Sequence, residues 1–78
     1  MMKKISLVKL KSNRRGRIVE ILGGSGLEAK LEGMGLYAGK EIAKVSHIGL
    51  RGPVVIKVGR SILALGHGVA AKVIVNEE

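Results

Sequence analysis

Chemistry needs particular side chains at workable spacings, and this chain offers few. It has two histidines, His47 and His67, twenty positions apart, six glutamates, five serines and no cysteine. The missing thiol excludes a disulfide, a cysteine-based zinc site and a cysteine nucleophile. Two imidazoles with a nearby carboxylate make at most a weak divalent transition-metal site, so His47 and His67 are the metal candidates; the competing reading is a pair of unliganded surface histidines. General acid–base work requires titrating groups gathered in one pocket, and the glutamates are scattered. Ser46 and His47 are neighbours, but successive side chains on a strand point to opposite faces, so they make no nucleophile–base pair. No catalytic residue is expected.

Two phosphate-binding patterns fail on inspection. Gly24-Ser25-Gly26-Leu27-Glu28-Ala29 matches G-x-G-x-x-A between a strand and a helix. The acidic residue due about twenty positions later is missing, however, because Lys44 stands there. The chain is also too short for the doubly wound fold that gives the pattern its meaning. Gly39-Lys40 lacks both the leading glycine and the Ser/Thr of a phosphate loop.

Charge is the stronger signal. The 78 residues carry a formal charge of +8. Lys3, Lys4, Lys9, Lys11, Arg14, Arg15 and Arg17 all fall in residues 1–17, where no acidic residue occurs; the remaining 61 positions are nearly balanced. Such a block attracts an acidic protein, anionic headgroups or nucleic acid, or else serves only as a solvated edge. Nucleic acid is disfavoured because single-strand binders stack bases on aromatic side chains, and Tyr37 is the one aromatic residue. The Leu36-Tyr37 pair reads either as a core plug or as an exposed contact.

The elements that must position these residues are short. Leu10 ends an apolar lead-in over 5–10, and Ser12-Asn13 signals a turn. Residues 16–22 read as a strand, and 27–34 as a two-turn helix with Leu27, Leu31 and Met34 on one face. Ser25 and Glu28 suit a capping box, and Gly35 a left-handed stop. Residues 40–47 form a strand whose alternation slips between Ile42 and Val45, as at a bulge. Residues 54–58 and 61–65 make a hairpin across Gly59-Arg60, one turn follows at 66–71, and 73–75 close the chain as a strand. The expected fold is therefore mostly β: about five short strands, with one short helix after the first, curled into a small barrel that hides its edges. One domain, 1–78, accommodates everything. No run is long enough to span a bilayer, and Lys9 and Lys11 break any leader-like segment, so a cytoplasmic location is expected.

Read with its glycines, this order of elements resembles the FeoA family of small ferrous-iron-transport proteins. The resemblance runs through Leu31-Glu32-Gly33-Met34-Gly35-Leu36-Tyr37-Ala38-Gly39-Lys40-Glu41-Ile42 and then Gly49-Leu50-Arg51-Gly52-Pro53. It continues through Gly59-Arg60-Ser61-Ile62-Leu63-Ala64-Leu65 to Ala70, Val73 and Val75, with Leu7, Leu10, Gly16, Arg17 and Ile18 also in register. Ala38 departs from a usual proline, Ser12-Asn13 from a Pro-Gly turn, and Gly66 and Gly68 from helix-favouring residues. The resemblance implies an SH3-like barrel without enzymatic activity that docks on the cytoplasmic, guanine-nucleotide-binding part of a membrane ferrous iron transporter. It also implies kinship with the C-terminal domain of iron-dependent metalloregulators, which keeps a regulatory or nucleic-acid-binding module as the alternative. On this reading the partner-binding residues are Arg14, Arg15, Arg17, Leu36, Tyr37, His47 and Arg51. No resident cofactor is expected beyond a weak divalent metal. Peripheral membrane contact and self-association through an edge strand are both compatible with the pattern.

Overall fold

Alternation of buried and exposed residues sets the strands. In the computed structural model, which describes residues 3–78, β1 is Lys3–Ser6, β2 Arg15–Ile21, β3 Glu41–His47, β4 Val54–Val58, β5 Ser61–Leu65 and β6 Val73–Glu77. Helix α1 is Gly24–Gly33 and α2 is His67–Ala70. All six strands join one antiparallel sheet in the order β1-β6-β2-β3-β4-β5.

Three sequence expectations change here. There are six strands, not about five, because the lead-in holds a four-residue strand that pairs Lys3–Ser6 with Ile74–Glu77. The main helix consequently follows the second strand. The sheet is also not closed, since β1 and β5 form its two ends and do not pair. It does curl: Ile5 of β1 and Leu65 of β5 pack into one and the same apolar cluster. Leu7, Leu10, Leu31, Leu36 and Ala70, which lie outside the strands, complete that core. The β1 edge carries exposed Lys3 and Lys4, charges that discourage another chain from pairing there.

Local chemistry explains the joints. Gly59 sits at φ +60 between Val58 and Ser61, which pair directly, giving the two-residue hairpin with glycine first. Pro53, which has no N–H to give a ladder, falls just before β4. The α1 C-terminus closes through Gly35 at φ +88. The Leu36 N–H donates to the Leu31 carbonyl at 2.8 Å and the Gly35 N–H to that of Glu32 at 2.9 Å, the paired bonds of a left-handed helix stop. The N-terminus differs from expectation. Gly23, not Ser25, occupies the cap position at φ +114, and no side chain caps the helix, so the Ser25–Glu28 box does not form.

Candidate functional site

The expected contact residues do not all belong to one site. Arg14, Arg15 and Arg51 are exposed, and Arg15 shares the outward face of β2 with Arg17. Arg17 is only partly available. Its Nη1 donates to the Gly39 carbonyl at 2.8 Å and its Nη2 lies 4.0 Å from Glu78 Oε2, so it also fastens β2 to the turn before β3. Leu36 is fully buried and belongs to the core; it cannot itself meet a partner. Its neighbour Tyr37 is exposed at 44%. The adjacent pair thus divides into a plug and a contact.

Tyr37 opens onto a cleft of about 300 Å³ between β2 and α1, lined also by Val19, Ile21, Glu20, Glu28 and Glu32. Half of the chain's six acidic residues face this cleft. The basic residues lie elsewhere. Along β2, Arg15 and Glu20 are five residues apart, about 16 Å at the usual strand rise. That exceeds the screening length of about 8 Å at physiological salt, so the two charged regions act independently.

Strand register builds the other end of the molecule. His47 pairs with Val54, Val54 pairs with Leu65, and His67 lies two residues beyond Leu65. The twenty-residue separation therefore collapses, and the two imidazole centroids stand 5.8 Å apart at an interplanar angle of 32°. His47 Nε2 and His67 Nδ1 are buried and have no hydrogen-bond partner. Among the described residues no cluster of three or more His, Cys, Asp or Glu is suited to hold a metal. Just beyond His47 the β3–β4 loop exposes Ile48 at 61% and Leu50 at 90%, with Arg51 following. A turn tip this apolar is unusual for a loop, and it carries the largest exposed hydrophobic side chains of this end. Sequence reasoning overlooked it, although Ile-Gly-Leu inside a glycine-rich loop is the visible signal.

Lys44 was also missed. It lies two residues after Ile42, hence on the inward face of β3, and is only 3% exposed. Its Nζ donates to the carbonyls of Val8 at 2.8 Å and Leu7 at 3.1 Å. Burial holds this amine below the ordinary lysine range. The expected bulge is present, between Lys44 and Ser46, but the extra residue Val45 turns outward at 42% exposure and the lysine turns in.

The FeoA domain family model matches residues 5–77. A crystal structure of an iron uptake regulatory protein, FeoA, superposes with a TM-score of 0.87 at 33% identity, covering 97% of this chain and 99% of that one. Iron(II) transport protein A from Clostridium thermocellum gives 0.84 at 30% identity over 94% of this chain and 45% of its own. A manganese-dependent transcriptional repressor shares the fold alone, at a TM-score of 0.87 and 11% identity over 44% of its length. No curated protein sequence matches this chain. With a family match over nearly every residue and an end-to-end structural counterpart at one-third identity, the chain belongs to the FeoA family.

Proposed function

We propose that this protein is a cytoplasmic accessory of ferrous iron uptake that docks on the cytoplasmic, nucleotide-binding part of a ferrous iron transporter and modulates it without catalysing a reaction. The observation that carries this reading is the end-to-end likeness, 33% identical, to a protein described as an iron uptake regulator. The surface is compatible with it. Its exposed loops are surfaces of the kind through which small modules recognise partners. Among the described residues no helix is long and apolar enough to cross a membrane. The docking face is the end formed by Arg14, Arg15 and Arg51 with the apolar loop tip of Ile48 and Leu50. An apolar tip followed by Arg51, with Arg14 and Arg15 exposed at the start of the strand that pairs with β3, suits an interface whose partner is acidic.

Binding of the purified transporter cytoplasmic domain, measured at several salt concentrations, tests this. Reversing Arg14, Arg15 and Arg51 to glutamate is expected to weaken binding and to flatten its salt dependence, because fewer favourable charge contacts remain to be screened. Unchanged affinity and an unchanged salt slope refute the assigned face. Tight, steeply salt-dependent binding to DNA or RNA with none to the transporter domain refutes the function itself.

A further inference from the structure

We infer that His47 and His67 together bind one divalent transition-metal ion of the zinc class, through His47 Nε2 and His67 Nδ1. The inference stands apart from the docking role and does not depend on it.

The geometry has the right scale. Imidazole nitrogen binds zinc at about 2.0–2.1 Å, which places each ring centre about 3 Å from the ion. Two rings sharing a tetrahedral ion then have centres about 5–6 Å apart. The observed separation is 5.8 Å.

The buried nitrogens supply the chemical reason. A neutral imidazole carries one N–H and one lone pair, so an unpartnered ring nitrogen is either an unused donor or an unused acceptor. Leaving such an atom buried costs about 1–3 kcal/mol. Here two adjacent rings each hide one such nitrogen, and they do not bond to each other. Changing tautomers exchanges donor for acceptor and relieves neither. One cation accepting a lone pair from each ring satisfies both at once, with the protons held on His47 Nδ1 and His67 Nε2. Imidazole donors favour zinc, copper, nickel and iron over the hard alkaline-earth ions. The remaining coordination positions would fall to water or to a group brought by a partner. The ion would join the end of β3 to the start of α2, beside the exposed Ile48–Leu50 tip.

The test uses the untagged full chain, since an affinity tag would supply its own histidines. Cobalt(II) absorption and zinc calorimetry are expected to show one saturable equivalent at sub-millimolar metal. His47→Gln and His67→Gln should each lower the affinity about tenfold or more, since losing a direct ligand costs at least as much as losing an outer-shell one. Long-range 1H–15N NMR of the unaltered protein with diamagnetic zinc gives a readout independent of variant folding: His47 Nε2 and His67 Nδ1 should both shift at one equivalent. No saturable uptake, affinity insensitive to either substitution, or a response from only one ring overturns the inference.

Discussion

Replacing Lys44 by methionine separates two opposed effects that a buried lysine combines. Methionine matches the length of the stem and removes the ammonium. The Leu7 and Val8 carbonyls then lose the Nζ donor that reaches them at 3.1 and 2.8 Å. Each carbonyl left without a donor costs about 1–3 kcal/mol. Against this, removing a charge that burial already disfavours returns part of the loss. The expected net destabilisation at neutral pH is about 2 kcal/mol, or about 8–16 °C in Tm for a domain of this size. The pH dependence carries more information. The folded-state pKa of Lys44 is lowered, so between that value and the unfolded value of about 10.4 the unfolded chain binds more protons. Lys44 therefore makes stability rise with pH across this window. The neutral amine still has two N–H groups for its two carbonyls, so the hydrogen bonds survive deprotonation. The stability gap between wild type and Lys44→Met should accordingly widen as pH rises through this window toward 10.4. Denaturant unfolding of both proteins at a series of pH values reads this difference directly, and groups common to both cancel. A variant as stable as wild type, or a gap that stays constant or narrows with pH, refutes the assignment of Lys44 as a buried clasp.

Three further outcomes follow from burial and backbone geometry. Leu36→Ala, at a fully buried position, should cost about 2–5 kcal/mol in denaturant unfolding; Tyr37→Ala, next door and half exposed, should stay within about 1 kcal/mol of wild type, so equal losses would contradict the division into plug and contact. Gly35→Ala forces a side chain into φ +88 and should lower stability by about 1–2 kcal/mol, whereas Gly33→Ala, with open space around its Cβ position, should raise it by about 0.5–1 kcal/mol; opposite signs in thermal melts confirm the helix stop. Gly52→Ala places a Cβ against the Ile48 backbone carbonyl and should destabilise the β3–β4 loop, read as faster amide exchange at Ile48, whose N–H donates to the Pro53 carbonyl at 3.2 Å.

Much of the fold was readable because alternation and turn chemistry agreed. Val54, Ile56 and Val58 alternate cleanly, Pro53 fixes where β4 starts, and Gly59 dictates the hairpin, so β4 and β5 fall on the expected residues. What escaped had a physical reason in each case. Lys3–Ser6 is too short and too charged to announce a strand; it becomes one because β6 offers it a ladder, a long-range partner that no local pattern reveals. The cap of α1 passed to Gly23 because the preceding chain leaves β2 in a left-handed conformation that only glycine accepts at low cost, and Ser25, two residues further on, already lies inside the helix. Lys44 was hidden by the ordinary rule that lysine faces water, although its phase with Ile42 already put it inside.

The candidate surface was less legible than the fold, and the split of charge explains why. Linear clustering placed seven basic residues together in the first seventeen, which suggests one basic face. Folding splits them: Lys3 and Lys4 guard the β1 edge and Arg17 is engaged by Gly39 and Glu78, while Lys9, Lys11, Arg14 and Arg15 stay exposed around the turn into β2. Three glutamates that look scattered in sequence, Glu20, Glu28 and Glu32, are gathered into one cleft because β2 and α1 pack side by side. The histidines obey the same logic, since only the register through Val54 and Leu65 carries His67 to His47. Sequence proximity therefore overstated one patch and concealed two others. A module with a basic, apolar-tipped end and a separate acidic cleft about 16 Å along β2 presents unlike charges to its surroundings in a fixed arrangement. A partner bearing one acidic surface is attracted to the first and turned away from the second, which orients the encounter as well as strengthening it. Net charge alone, +8, would predict attraction to any polyanion from any direction; the acidic cleft makes that attraction depend on direction.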